Sequence, residues 1–326
     1  MITTASTRAG MIFWFMGSSQ RALSYAALIS VCFFWGTTYL GIRMALESFP
    51  PLALIATRFL LSGGILLAWA IWKGMPLPKG AELARTCAFG LMLLGVANGC
   101  LTFSETWIPS SLAALFLTTA PFWLVGIESA MPQGEKLTLP LVIGLVVGLG
   151  GVVVLLVPAD GNFAMSPNMW KGFLVLQVGS LFWNAGSILQ RRYRGEAHPL
   201  VTGAVQQLAA GAVYFFAALF IPEHPIHLSA TGIAGVAWLV TFGSIVGYSS
   251  YIYALETLPV SLVSTYTYIN PVVAAALGKL YYDEPFGAKE SLAMGVIFLG
   301  VLIVKLRSSH GPASSPQPRR QQSSEA

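Results

Sequence analysis

Charge is what this chain has least of. Only 10% of its 326 residues are Asp, Glu, Lys or Arg, against roughly 25% in an average soluble protein. Hydrophobic residues make up 55% and the mean hydropathy is +0.70. No soluble fold can hide that much apolar surface, so lipid must be the solvent for most of it. Cysteine is also scarce. Cys32, Cys87 and Cys100 all lie in apolar stretches and none forms a Cys-x-x-Cys pair. That excludes a disulfide framework and reads them as small core residues. Glu223, His224 and His227 share one polar loop, an ordinary wet setting for such residues, and no metal site is expected there. No Walker A pattern is present, because Gly278-Lys279 lacks the upstream glycine and the following Ser or Thr. Gly-x-Ser-x-Gly and His-Glu-x-x-His are missing too. Neither catalysis nor a cofactor is therefore expected. No Asp or Glu lies well inside an apolar stretch, which argues against a proton relay through a midplane carboxylate. A net charge of +5 could suggest nucleic acid. The basic residues, however, sit in short loops where they fix orientation in a membrane. The expected partners are membrane lipid and a small molecule, with no nucleic acid.

What the chain does have is long apolar runs. The first five cover about Ser24–Met44, Pro51–Trp72, Ala84–Thr106, Ser110–Ala130 and Leu139–Val157. Each is near the twenty residues a helix needs to cross the hydrocarbon core. Five more follow at about Met169–Leu189, Leu200–Phe220, Thr231–Ala254, Ser261–Tyr281 and Ser291–Leu306. Spans of this kind must be helical, since unpaired backbone groups are not tolerated in lipid. Residues 1–22 form a mixed N-terminal segment whose apolar patch, Met11–Met16, is shorter than a signal-peptide core. Residues 158–168 read as a polar linker between halves of 23–157 and 169–307. Residues 308–326 are a Ser, Pro, Gln and Arg tail, expected to be disordered.

The two halves repeat. Phe34-Trp35, Arg43, Pro51-Leu52 and Gly63 recur as Phe182-Trp183, Arg191, Pro199-Leu200 and Gly211, each 148 positions later. Pro109 and Pro121 recur as Pro259 and Pro271, and Gly150 as Gly300, now 150 positions apart. Such self-similarity has to be read before any motif. Lys and Arg set the orientation. With both termini inside, thirteen basic residues fall on the inner side and only Arg43, Lys171, Lys279 and Lys289 on the outer side. The expected fold is an all-α membrane protein of ten transmembrane helices, N-in/C-in. Five spans per half force the halves to cross in opposite directions, an inverted-topology repeat.

At this point the chain resembles the EamA-type transporters of the drug/metabolite transporter superfamily. The resemblance is carried by Phe34-Trp35-Gly36-Thr37, Arg58, the Ile108-Pro109 turn into Pro121, its echo Leu258-Pro259 into Pro271, and acidic turns at Glu135 and Glu284. It covers about Tyr25 to Leu306. The second copy departs from the first at Asn184 in place of Gly36 and at Gln206 in place of Arg58. The resemblance implies a permease for amino acids, metabolites, nucleobases or drugs, with export favoured over import, and leaves the substrate open.

Arg58 is the one charge well inside a span, the others lying toward span ends or in loops. A charge there costs about 2.5–3.5 kcal/mol on insertion scales and is a functional hypothesis by default. It either grips a substrate carboxylate or phosphate through its bidentate fork, or it is structural, tied to helix-end carbonyls or to Glu105. Its mate Gln206, beside Gln207, would give the opposite wall a neutral polar surface. Trp35 and Trp183 are mates. Tyr248 and Tyr251 share a helix face, as do Tyr266 and Asn270. Together they could form an aromatic cage or only bundle packing. Thr37, Thr38, Asn98, Asn184 and Asn270 are polar groups that need partners within the bundle. Asn270-Pro271 could break its helix near the substrate. The candidate substrate-binding set is therefore Trp35, Thr38, Arg58, Asn98, Trp183, Asn184, Gln206, Tyr248, Tyr251, Tyr266 and Asn270. Gly144, Gly148, Gly150 and Gly151 carry a small-xxx-small spacing that fits close helix contact within the chain, or a homodimer face. A secondary transporter alternating access around a central cavity is the main functional expectation. A channel or non-transporting sensor, and a lipid-acting membrane enzyme, are the alternatives. A channel needs rings of like side chains or repeated carbonyls, and an enzyme needs convergent acid, base or metal groups.

Overall fold

A computed structural model describes residues 18–131, 139–156, 166–193, 195–258, 260–263, 265–284 and 286–308. Glu135, Pro259, Asp160-Gly161-Asn162 of the linker, the first seventeen residues and the tail after Ser308 lie outside the described residues. Among the described residues the elements are all helices, joined by short turns. In chain order they are α1 (Ser18–Leu46), α2 (Pro51–Trp72) and α3, which runs Gly80–Gly90, winds through a π-helical stretch at Leu91–Ala97 and ends as Asn98–Ser104. Next come α4 (Ser110–Phe116, a 3-10 turn at Leu117–Thr119, then Ala120–Ala130) and α5 (Leu139–Leu156). The second half holds α6 (Pro167–Arg192), α7 (Pro199–Phe220) and α8, which runs Ala230–Trp238, π-helical Leu239–Tyr248 and Ser249–Thr257. A single turn, Val260–Val263, leads to α9 (Tyr266–Tyr282), and α10 (Ala288–Ser308) closes the described chain.

Helix starts follow the sequence chemistry. Pro stands at the first turn of α2, α6 and α7, where its missing N–H and fixed φ cost nothing. Ser166 accepts from Met169 N at 3.2 Å and Ser229 from Gly232 N at 3.0 Å, both N-caps. The break expected at Asn270-Pro271 does not occur, because α9 runs through Pro271. With its amide nitrogen as donor, Asn270 bonds Tyr266 O (3.1 Å) and Cys32 O (3.0 Å), which ties α9 to α1 at that point. Six of the described helices, α1, α2, α3, α6, α7 and α8, are long and apolar enough to cross a membrane. They are the first three of each half.

The halves interlock. α1 lies against α8 and α9, and α6 lies against α3 and α4, so each half's first helix is embraced by the other half. α2 packs on α7 around the mates Gly63 and Gly211. A Cβ on Gly63 would come within 3.0 Å of the Ala204 carbonyl, and one on Gly211 within 2.9 Å of the Leu60 amide. Only glycine admits such backbone approach. α5 packs on α10 in the same way: a Cβ on Gly300 would lie 2.6 Å from the Gly144 carbonyl, and one on Gly151 2.9 Å from the Ala293 carbonyl. The small-residue stripe of α5 is thus in use within the chain.

Carboxylates fasten the halves at helix N-termini, where backbone N–H groups point outward. Glu223 accepts from Leu52 N (3.0 Å) and Ala53 N (3.2 Å) at the start of α2. Its loop therefore serves as a helix cap. Glu284 accepts from Ser110 N (3.0 Å), Ser110 Oγ (2.7 Å) and Ser111 N (2.9 Å) at the start of α4. Burial would raise the Glu284 carboxyl, but the donations from Ser111 and Ser110 outweigh it and hold the group below its ordinary value. Glu82 accepts from Glu196 N (2.8 Å) and Ala197 N (3.0 Å), just before α7. Each of the three carboxylates reaches from one half into the other.

Candidate substrate cavity

The interlocked first helices leave a void between the halves. Trp35, Thr38 and Tyr39 of α1, Arg58 and Phe59 of α2, and Leu94, Ala97, Asn98 and Leu101 of α3 form one side. Ala114, Leu117 and Ala120 of α4, Gly179, Ser180 and Trp183 of α6, Gly243, Ser244 and Tyr248 of α8, and Tyr266, Thr267 and Asn270 of α9 complete it. A mostly apolar lining with a few placed polar groups is the usual make-up of a small-molecule site.

Arg58 stands in this lining, 5% exposed. Its Nε donates to Ser244 Oγ at 2.8 Å across the interface between halves. Among the described residues that is the hydrogen bond its side chain makes, so the terminal nitrogens of the fork are left for the cavity. The guanidinium also lies 5.0 Å from the Phe59 ring centroid. Two further polar atoms in the lining residues are buried and without a hydrogen-bond partner among the described residues: Asn98 Oδ1 and Ser180 Oγ. Buried polar atoms in native proteins are nearly always satisfied, so unsatisfied ones beside a void indicate groups that a bound molecule or water completes.

The aromatic residues form a cluster with Trp35 at its hub. Its ring lies 4.9 Å from Tyr251, 5.1 Å edge-on from Tyr266, 5.4 Å edge-on from Trp183 and 6.5 Å from Tyr248, centroid to centroid. Trp35 is fixed by donation from Nε1 to the Gly243 carbonyl at 3.1 Å. That carbonyl belongs to the π-helical stretch of α8, a winding often found at functional sites.

Eight of the eleven candidate residues line the void: Trp35, Thr38, Arg58, Asn98, Trp183, Tyr248, Tyr266 and Asn270. The other three stand behind it. Asn184 Nδ2 donates to Ser180 O at 2.8 Å. Tyr251 packs between Trp35 and Trp183 and shares a 2.7 Å hydrogen bond with Ser187. Gln206 accepts from the Tyr248 hydroxyl (2.6 Å) and donates to Gln190 Oε1 (2.8 Å). Gln207 accepts from the Ser62 hydroxyl. The polar wall expected opposite Arg58 is therefore turned into helix packing, and it fixes Tyr248 from behind. Sequence reasoning missed Ser244, the two π-helical stretches and the burial of Glu105. The π stretches had a visible trace, since Gly95 and Gly99 recur 148 positions later as Gly243 and Gly247.

The model of the EamA-like transporter family matches this chain twice, over residues 22–157 and 170–306. A protein of Escherichia coli K12 named "Uncharacterized inner membrane transporter YedA" is 35% identical over 291 residues, covering 89% of this chain and 92% of that one. A protein of Streptantibioticus cattleyicolor named "Probable terminal-alkyne amino-acid exporter" is 24% identical over 285 residues, covering 86% of this chain and 93% of its own. One crystal structure of another protein superposes with a TM-score of 0.65 at 21% identity, over 91% of this chain and 99% of that one. That likeness speaks for the fold alone.

Proposed function

The chain belongs to the EamA-like transporter family, and we propose that it carries a small carboxylate-bearing metabolite, an amino acid or a related compound, across the bacterial inner membrane. It is a multi-pass membrane protein. The proposed architecture is ten transmembrane helices, N-in/C-in, in two inverted five-helix repeats that rock about the central cavity and expose it to each side in turn. Export is the proposed direction, supported by the Streptantibioticus cattleyicolor relative named as an exporter.

The observation that carries this reading is the set of groups presented to the void. Arg58 is braced by Ser244 in the cavity lining, and Asn98 Oδ1 and Ser180 Oγ of the same lining have no hydrogen-bond partner among the described residues. A guanidinium fork matches a carboxylate in plane and charge. The Trp35, Trp183, Tyr248 and Tyr266 rings supply an apolar surface for the remainder of the molecule. The deciding experiment is a thermal-shift screen of the purified protein against amino acids, organic acids, nucleobases and cationic drugs. A ligand at a hundred times its dissociation constant stabilises by about 2.7 kcal/mol. The expected result is a carboxylate-bearing hit that is lost in Arg58→Gln while the unliganded melting temperature is kept. The same variant should then lose counterflow of that compound in proteoliposomes. A hit that survives Arg58→Gln would overturn the anion site and move the anchor to the aromatic wall.

A further inference from the structure

We propose that Glu105 is a proton-binding residue standing between the central cavity and a second, separate vestibule, and that a proton on it frees Arg58 to hold an anionic ligand. The first observation is the state of its side chain. Glu105 follows the last residue of α3 and is 0% exposed. Neither Oε1 nor Oε2 has a hydrogen-bond partner among the described residues. Glu82, Glu223 and Glu284, by contrast, each accept two or three hydrogen bonds at a helix start. A carboxylate with neither water nor donors is costly as an anion, by several kcal/mol after relaxation. As a neutral acid it is far less so.

The second observation is position. Glu105 lines a vestibule together with Arg43, Glu47, Pro51, His224 and Tyr282. Its charge also reaches Tyr39 and Arg58, which line the central cavity. It therefore stands between two spaces, buried in the wall of one and in electrostatic range of the other. Arg43 of α1 and Arg58 of α2 favour its anion, while burial and Glu284, beyond α9, oppose it. Tyr39 of α1 faces it too. Arg43 holds the Glu105 peptide carbonyl through Nη1 at 3.4 Å and sits 5.7 Å over the Tyr282 ring. In the same vestibule the Tyr282 hydroxyl donates to Glu47 Oε1, and His224 is part of the lining.

The consequence is a linkage. With Glu105 ionised, part of the field of Arg58 is answered internally. With Glu105 protonated, the fork is left for a ligand carboxylate, and a bound carboxylate in turn raises the proton affinity of Glu105. Proton and anion thus strengthen each other's binding by the same factor. Net direction then follows the combined proton and substrate gradients, and export runs when the substrate gradient is the steeper. This linkage rests on the anion-binding reading of Arg58. The proton site itself does not.

Infrared spectroscopy on the full chain in nanodiscs tests the site without any ligand. A carboxylic-acid carbonyl band should be present near neutral pH, shift in D2O, persist in Glu284→Gln and vanish in Glu105→Gln. Absence of the band, or its persistence in Glu105→Gln, overturns the proposal. Should Glu105→Gln not fold, the titration of the band is compared between wild type and Arg58→Gln. Loss of the cation should move the midpoint to higher pH, and an unmoved midpoint overturns the assignment. The linkage is read with L-phenylalanine, benzoate and any hit from the ligand screen. Wild-type affinity should strengthen by up to about tenfold per unit fall in pH across the titration, and Glu105→Gln should be flat. A pH-independent wild type overturns the linkage. A titrating band combined with ligand binding that ignores Arg58→Gln sinks the anion site and leaves the proton site standing.

Discussion

The π-helical stretch of α3 and that of α8 occupy matched positions, yet they do different things. In α8 the Gly243 carbonyl takes a hydrogen bond from Trp35 Nε1 at 3.1 Å. In α3 its mate, the Gly95 carbonyl, takes one from the Tyr214 hydroxyl at 2.7 Å. Four residues on, Gly99 and Gly247 leave room for those same donors, since a Cβ on either would strike the Tyr214 hydroxyl or the Trp35 indole nitrogen. The device is one: a widened turn, a carbonyl, a glycine gap and an aromatic donor from another helix. What surrounds it differs. Beside the α8 copy stand Ser244, Tyr248 and Arg58, all in the cavity lining. Their mates are Val96, Cys100 and Gln206, none of which lines the void. Duplication thus preserved the architecture in both halves and left the guanidinium with its serine brace beside one copy only.

The largest expected effects come from closing the glycine gaps. Gly99→Ala and Gly247→Ala should each cost about 2–3 kcal/mol through overpacking, read by thermal unfolding in detergent. The two should part company on rescue. Tyr214→Phe removes the atom that Gly99→Ala strikes, so the double variant should regain most of the loss. Trp35→Phe should not rescue Gly247→Ala, because the new Cβ also lies 2.8 Å from the Phe242 carbonyl. Equal rescue in both copies would mean that the gaps are alike and the comparison wrong.

Next come the donors themselves. Trp35→Phe and Tyr214→Phe each remove one hydrogen bond of about 1 kcal/mol, so their melting temperatures should fall by similar amounts. Transport should separate them. Trp35 is the hub of the aromatic wall, and its loss should lower counterflow about tenfold, while Tyr214→Phe should leave the rate within about twofold of wild type. Equal rates would detach the α8 stretch from the transport path.

Legibility in the sequence followed the same division. The 148-residue offset was plain in Phe34-Trp35, Arg43 and Gly63, because a repeat holds its packing residues in register. Arg58 was plain because a charge has no ordinary place in lipid. Gln206 misled, since its offset from Arg58 put it on the opposite wall, and only the tertiary contacts with Gln190 and Tyr248 turn it away. Glu105 was readable as an acid at the end of a span but not as a buried one. Its burial comes from elements far apart in the chain, with Arg43 of α1 on its peptide carbonyl and Tyr282 of α9 in the same vestibule wall. The π winding inserts a residue into a helical turn without altering composition, so its one trace is the recurrence of Gly95 and Gly99 as Gly243 and Gly247.

Ser244 is the finest test of the asymmetry. One serine hydroxyl among many gives no sign in the sequence, yet among the described residues it is the one that braces the guanidinium, at 2.8 Å from Arg58 Nε. Its mate Val96 has no hydroxyl to offer, so the second wall has no counterpart brace. Ser244→Ala keeps the charge and the cavity and removes only the brace, leaving Nε to water. Stability should fall by about 1 kcal/mol, and affinity for the carboxylate ligand should weaken about fivefold, as a fork that wavers must be ordered by the ligand it binds. Ser244→Thr, which keeps a hydroxyl, should restore most of both. If Ser244→Ala binds as wild type does, Arg58 is held by its burial alone, and the difference between the two π-helical copies reduces to the charge of a single residue.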